Sequence, residues 1–204
     1  MKSERKKINT IACRLDAVVA DQSDNELIEL VARGHNDAFS ILFERHKKRI
    51  YRFALRITGS SATAEDIVNE VFLDVWRQAV RFEGRCQVAT WLLVITRNKA
   101  VSKKRRRVEA PCDEELASTL EDPADDPEVS ADISRRNAVL RQCLRELSPA
   151  QREVIDLIYY NDRSVAEAAG IVKALDKTVK TRIFYGRKRL SELLSTKGIH
   201  SAVL

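Results

Sequence analysis

Apolar residues in the first half of the chain recur three or four positions apart, the spacing of one buried face of an α-helix. The clearest of these stripes runs from Ile67 to Trp76. Glycines follow two of the apolar segments at the positions where helices commonly end. Four helices are therefore predicted. They start at Ser23 or Asp24, at Asp37, at Thr63 as a cap, and at Thr90; the first two end at Gly34 and Gly59, and the last runs to about Arg106.

The second half predicts three short helices and a longer basic one, the first starting near Asp132. Ser148 with Gln151, and Ser164 with Glu167, have the spacing of capping boxes, in which side chains and backbone N–H groups at a helix start satisfy one another. Short helices followed by a tight turn and a basic helix are typical of a helix-turn-helix. The last helix is predicted from Asp176 or its neighbour to about Leu194, with Val179, Ile183, Phe184 and Leu190 facing inward.

Charge is segregated along the chain more strongly than the net charge of +6 suggests. Residues 97–107 contain seven Lys/Arg and no acid, whereas residues 109–132 contain ten Asp/Glu and no base. The acidic stretch also holds three of the four prolines, and such a composition cannot bury enough apolar surface to fold alone. The sequence thus predicts an all-α protein in which a flexible acidic linker joins two small helical domains, each with a cationic surface suited to a polyanion.

Several classes of function are disfavoured by the residues present. The four cysteines are isolated and form no C-x-x-C pair, so no zinc site is expected. Scattered thiols suit a reducing cytoplasm, which is the expected location. No catalytic Ser/His/Asp order, phosphate-binding loop or metal-ligand spacing occurs, so we expect no enzyme activity, no cofactor and structural roles for the three histidines. No apolar run approaches the roughly 20 residues of a membrane span, so no membrane insertion is expected. Residues 1–22 make a poor signal peptide.

Two basic helices are candidate DNA contacts. On the last helix the polar residues Lys177, Thr178, Lys180, Thr181, Arg182, Tyr185 and Arg189 could face a major groove, which admits an α-helix. The alternative is a solvated basic helix on an ordinary bundle. Residues 82–87 and the helix from Thr90 combine aromatic and cationic residues, a mixture suited to single-stranded DNA. Here Trp91 could equally be a core residue, and the basic run could be a solvated helix end.

Five segments in order resemble the extracytoplasmic-function (ECF) sigma factors, from about Asn25 to Leu194 without most of the linker. Residues 38–56 resemble the start of conserved region two, and residues 64–76 the helix that docks on the clamp helices of the polymerase β′ subunit. Residues 81–85 with 90–98 resemble the promoter-melting loop and helix. Residues 147–154 and 178–182 resemble region four, which reads the minus-thirty-five element.

The resemblance implies a role for each group of residues. The expected partners are core RNA polymerase (β and β′ subunits), promoter DNA and an anti-sigma factor. Polymerase docking falls on Asp66, Asn69, Glu70 and Asp74, although on local grounds this could be merely an exposed helix face. Minus-ten DNA falls on Phe82, Arg85, Gln87, Thr90, Trp91, Arg97, Asn98, Lys99 and Lys103, and minus-thirty-five DNA on the seven residues of the last helix.

One stretch departs from the family pattern. Lys173-Ala174-Leu175 stands where the family usually has Gly, an apolar residue and then Pro or Ser in the helix-turn-helix turn. Glycine adopts positive φ at little cost. A lysine at that position is strained by roughly 1 kcal/mol, unless the turn is built differently.

The expected organisation is an N-terminal extension (1–22), region two (23–108), an acidic linker (109–131), region four (132–195) and a C-terminal tail (196–204). We expect a sigma factor that directs promoter recognition and transcription initiation. One alternative is a stand-alone helix-turn-helix regulator, which would need a dimer seam or a ligand domain. The other is a nucleic-acid enzyme, which would need clustered carboxylates outside the linker or a metal site.

Overall fold

The computed structural model describes residues 22–109 and 131–197, with side chains for 22–106 and 136–197. The chain separates into two compact units that divide between Arg106 and Arg107. Every regular element in the described ranges is helical, which confirms the all-α prediction. Most of the predicted extension, linker and tail lies outside the described residues.

The first unit consists of four helices and a short 3-10 turn. The helix starts predicted at Asp37 and Thr90 lie one and two residues too late. The elements are α1 (Asp24–Ala32), α2 (Asn36–Thr58), α3 (Ser61–Gln78), the 3-10 turn Ala79–Arg81 and α4 (Val88–Glu109).

Caps define most of these helix ends. Ser23 caps α1 in a complete capping box, in which the Glu26 N–H donates to Ser23 Oγ and the Ser23 N–H donates to the Glu26 carboxylate. Gly59 ends α2 at φ 73°, as predicted. The prediction that Thr63 caps α3 is wrong. Ser60 is extended and its Oγ accepts the Thr63 N–H at 3.3 Å, so Thr63 already lies within the first helical turn.

The core of the first unit forms where α1, α2 and α3 bury their apolar stripes. Phe53 of α2 is completely buried, and Phe39 and Phe43 meet the Phe72 ring edge-on, with ring centroids 6.1 and 4.7 Å away. The predicted α3 stripe is buried from Ile67 to Val75, but not at Trp76, which is 38% exposed and packs against Phe39 with ring centroids 5.3 Å apart. Trp76 therefore lies at the edge of the core.

A polar cluster ties α1 to α2. Asp24 accepts from Arg45 at 3.0 Å and lies 2.8 Å from Nε2 of the buried His46. Burial lowers the pKa of His46, and the neighbouring Asp24 opposes that shift. His46 thus has the structural role that the sequence predicts for it.

The second unit is built from four helices with a π-helical turn after the second. Both predicted capping boxes are present, at Ser148 with Gln151 and at Ser164 with Glu167. Val139, Leu140 and Leu144 pack against a buried cluster formed by Cys143 and the end of the last helix. The elements are α5 (Ala131–Arg145), α6 (Pro149–Ile155), the π-helical turn Asp156–Tyr160, α7 (Val165–Val172) and α8 (Asp176–Thr196).

The inward face of α8 differs from the prediction at Phe184, which is 64% exposed. At 3.6 residues per turn, Phe184 lies about 140° around the helix from the buried Val179. The inward position is taken by Gly186, where an added Cβ would lie 2.8 Å from the Ile155 side chain. A glycine therefore lets α8 approach α6 closely.

The structure predicts that Trp76→Ala destabilises the protein by only about 1–2 kcal/mol, because the ring is partly solvated and loses one edge-on aromatic contact. Phe53→Ala should cost about 3–5 kcal/mol, since its ring is completely buried. Urea unfolding followed by far-UV circular dichroism measures both losses. Equal losses would show that Trp76 is a core residue after all.

Candidate nucleic-acid and protein interfaces

Three acidic residues of α3 and two lysines of α4 form a network of ion pairs across the two helices. Lys99 Nζ lies 2.7 Å from Asp74 Oδ2 and 3.5 Å from Glu70 Oε2. Lys103 Nζ lies 2.8 Å from Glu70 Oε1 and 3.6 Å from Asp66 Oδ2. Glu70 thus joins both lysines, one through each carboxylate oxygen. We refer to these five residues as the α3–α4 ion network.

The electrostatics of the network follow from these contacts. The hydrogen bond from Lys103 lowers the pKa of the Glu70 carboxyl, against the opposing effect of its partial burial. Burial of the Lys103 ammonium works against its charge, but the hydrogen bond to Glu70 and the nearby carboxylates raise the pKa of Lys103. The two shifts favour the charged forms of Glu70 and Lys103 at neutral pH.

The network brings together residues that the sequence assigned to two different surfaces. Asp66, Glu70 and Asp74 were predicted to dock a protein, and Lys99 and Lys103 to contact DNA. In the sequence the acids and the lysines both repeat every four residues, which places each set on one face of its helix. The pairing itself depends on how the two helices pack. The fourth predicted docking residue, Asn69, is exposed on α3.

The loop before α4 places two aromatic rings side by side. The centroids of Phe82 and Trp91 lie 5.1 Å apart, and both residues are partly exposed. Arg85 pairs with Glu83 in the same exposed loop, and the carbonyl of Gln87 accepts the Trp91 N–H at 3.0 Å. The aromatic pair is therefore accessible beside a cationic loop residue.

The remaining minus-ten candidates differ in exposure. Thr90 is buried at 5% exposure, because it lies in the first turn of α4, which faces the core. Asn98 is exposed and Arg97 is partly buried. Thr90 thus presents almost no surface to a ligand.

The turn before α8 has the left-handed residue that the family pattern usually fills with glycine. Lys173 ends α7 at φ 53° and ψ 50°, and the Ala174 N–H donates to the Ala169 carbonyl at 3.0 Å. Leu175 is extended and α8 begins at Asp176. Lys173 therefore adopts the left-handed conformation that is strained for a lysine.

Most of the predicted DNA-facing side chains of α8 are exposed. Phe184, which the sequence predicts to face inward, is also exposed. Its ring meets the Tyr185 ring edge-on, with ring centroids 5.3 Å apart. Arg189 also lies 3.4 Å from Glu192. Lys177, Lys180, Thr181, Tyr185 and Arg189 are exposed, and Thr178 and Arg182 are partly buried.

Arg152 holds the start of α6 against the end of α5. Its guanidinium donates to the carbonyls of Leu144 at 2.9 Å and Leu147 at 3.1 Å, and also to that of Arg145. Leu144 and Arg145 lie in the last turn of α5, where carbonyls lack the usual helical donors, and Leu147 follows the helix. Desolvation lowers the pKa of this guanidinium. Arg152 therefore ties the start of α6 to the end of α5.

Residues 22–109 and 131–197 contain no candidate metal site and no helix that could span a membrane. No cluster of three or more His, Cys, Asp or Glu in that part of the chain could hold a metal ion. Each helix there is too short or too polar to cross a bilayer.

Two family models match the chain in order, one on each unit. Sigma-70 region 2 matches residues 42–109, and Sigma-70, region 4 matches residues 137–190. Among similar proteins, the ECF RNA polymerase sigma factor BldN of Streptomyces coelicolor is 32% identical over 183 residues, covering 86% of this chain and 68% of BldN. The ECF RNA polymerase sigma factor SigL of Mycobacterium tuberculosis is 31% identical, covering 78% and 89%.

Solved structures have the same fold. RpoE, a sigma factor solved in complex with the anti-sigma factor NepR from Bartonella quintana, is 28% identical and superposes with a TM-score of 0.59, covering 73% of this chain and 91% of RpoE. CnrH, solved in complex with the cytosolic domain of CnrY, superposes with a TM-score of 0.63 at 24% identity, covering 86% and 99%.

The left-handed turn yields a stability prediction. Lys173→Gly should stabilise the protein by about 0.5–1 kcal/mol, because glycine relieves the strain at φ 53° while losing some entropy on folding. Ala174→Gly is the matched control: Ala174 does not have positive φ, so the same change there should destabilise. Thermal unfolding of both variants measures the difference. A loss at Lys173 equal to that at Ala174 would contradict strain at the turn.

Proposed function

This chain belongs to the ECF RNA polymerase sigma factors, and we propose that its two units bind core RNA polymerase and promoter DNA to start transcription at selected promoters. The observation that carries this proposal is the ordered match to regions two and four, each on a unit whose exposed residues suit the role. In this role the protein catalyses no covalent step and acts in the cytoplasm, where polymerase and promoter meet.

We assign polymerase docking to the exposed side of α3. Asn69 and Asp66 are exposed there, and Glu70 and Asp74 keep part of their carboxylate surface accessible despite the ion pairs. An acidic face attracts a cationic one, which speeds association and sets its orientation. The expected partner surface therefore carries Lys and Arg.

We assign opening of the minus-ten element to the first unit near Phe82 and Trp91. Removing a base from the duplex stack costs a few kcal/mol, and stacking on an aromatic side chain restores part of it. The two adjacent rings, with Arg85 and Gln87 in the preceding loop and Asn98 on α4, supply that kind of surface. The burial of Thr90 leaves it a supporting role in the first turn of α4.

We assign the minus-thirty-five element to α8. Lysine, arginine and threonine side chains on a helix in the major groove reach base edges and phosphates. Lys177, Lys180 and Thr181 are exposed in the first turns of α8, where a recognition helix contacts bases. Farther along the helix, the aromatic pair of Phe184 and Tyr185 adds exposed apolar surface.

We also propose control by an anti-sigma factor. Support comes from the sigma factor RpoE, which was solved bound to the anti-sigma factor NepR. The similarity to RpoE covers 73% of this chain. The alternative of a stand-alone helix-turn-helix regulator explains only the second unit, since it gives no role to the region-two match.

Transcription with purified components tests the function. Core polymerase with this protein should produce discrete new RNA 5′ ends on fragmented genomic DNA, and the DNA upstream of those ends should share two sequence elements. Core polymerase alone is the control. If the protein binds specific DNA without polymerase and yields no new 5′ ends, it is a stand-alone regulator.

The role of α8 is tested at a promoter found in this way. Lys180→Ala and Arg182→Ala should each weaken promoter binding; a base-edge contact should cost about 1–3 kcal/mol and relax specificity at one position. A phosphate contact should instead weaken all sequences alike and reduce the salt slope by about one. Lys197→Ala is the control, because its ammonium lies 3.5 Å from Glu146 rather than on the DNA-facing side. Normal promoter binding by both α8 variants would rule out this helix.

A further inference from the structure

Lys99 and Lys103 have surroundings unlike those of a DNA-contacting lysine. Their side chains are 22% and 28% exposed, and the ammonium groups lie among Asp66, Glu70 and Asp74. A phosphate that approached either ammonium would also approach the two carboxylates beside it, one of which lies within 3 Å of the lysine nitrogen. Like charges at that range repel, so the network opposes phosphate binding.

The acids, in contrast, depend on the lysines for their arrangement. Asp66, Glu70 and Asp74 follow one another every four residues along one side of α3, a spacing at which like charges destabilise a helix. Lys99 bridges the second and third acids, and Lys103 bridges the first and second. The two lysines thus neutralise the repulsion along the row and limit the rotamers of its central member, Glu70.

The paired acids can still bind a partner. Glu70 remains 44% exposed and Asp66 69% exposed, and a carboxylate oxygen has a second lone pair after it accepts one hydrogen bond. A side chain that is ordered beforehand loses less entropy when it binds. Ordering by the lysines therefore favours docking.

We infer that Lys99 and Lys103 are positioning residues of the polymerase-docking face, which hold Glu70 and Asp74 in place from α4 and do not contact promoter DNA. This inference rests on the proposed docking role of α3. It reassigns two residues from the DNA-binding set to the protein-binding set, and it makes α4 a support for the docking helix.

The direction in which the affinity for core polymerase changes separates this role from simple electrostatic attraction. Lys99→Gln and Lys103→Gln make the α3 side more negative, so attraction to a cationic partner would by itself increase. A positioning role predicts the opposite: the affinity of the full chain for core polymerase should fall about two- to tenfold, the equivalent of losing the order of one long side chain. Lys48→Gln removes the same charge from an exposed site on α2 and should leave the affinity unchanged.

Two further variants connect the loss to the network. Lys103→Arg keeps the positive charge beside Glu70 and should retain most of the affinity for core polymerase. If the lysines served folding alone, their variants would instead show reduced thermal stability. In a Glu70→Gln background, Lys103→Gln should have less than about a twofold further effect, since the residue through which it acts is already neutral.

Promoter binding supplies the contrasting measurement. Holoenzyme formed at saturating protein with Lys99→Gln or Lys103→Gln should bind promoter DNA with the wild-type affinity and salt dependence. If polymerase affinity is unchanged while promoter binding weakens and the salt slope falls, the lysines contact DNA and the inference is overturned. Tighter polymerase binding would also overturn it, because the lysines would then compete with polymerase for the acids.

Glu70→Gln combined with Asp74→Asn separates failure of this inference from failure of the proposed docking face. If that double variant binds core polymerase normally, α3 is not the docking face and both ideas fail. If it binds weakly while the lysine variants bind normally, docking stands and only the positioning role is lost.

Discussion

The burial of one side of α3 is the constraint on which the first unit depends. Ile67, Val71 and Val75 are completely buried against the neighbouring helices, so α3 cannot rotate about its axis without exposing them. That orientation decides where the row of acids lies. Because Lys99 and Lys103 repeat with the same four-residue interval on α4, the two rows meet in register. One packing contact therefore sets both the core and the charged surface.

In the second unit, contacts at the helix ends and one close helix approach fix the orientation of the helices. Two capping boxes define the starts of α6 and α7, Arg152 closes the end of α5, and Gly186 lets α8 approach Ile155. The angle at which α8 leaves the turn depends on Lys173, whose left-handed conformation is held although lysine does not favour it. Packing on both sides of the turn outweighs a strain of about 1 kcal/mol.

The two units use cationic residues in different ways. On α8 the lysines and arginines other than the partly buried Arg182 are exposed, which suits a polyanion. On α4 two of the lysines are engaged by acids of α3, so the sign of a residue alone does not reveal its partner. A sigma factor needs both arrangements, since it must bind a protein on one surface and DNA on others.

The sequence by itself determined the helices, the glycine and capping-box ends, the helix-turn-helix and the family, because each depends on neighbours within a few residues or on motifs in order. Tertiary structure decided the positions of Trp76, Phe184 and Thr90. Periodicity shows which way a stripe faces, but not how far the neighbouring helix covers it, so a residue at the margin can lie on either side. Only the fold could show that Lys99 and Lys103 lie beside the acids of α3, because an ion pair between residues about thirty positions apart requires the relative placement of two helices.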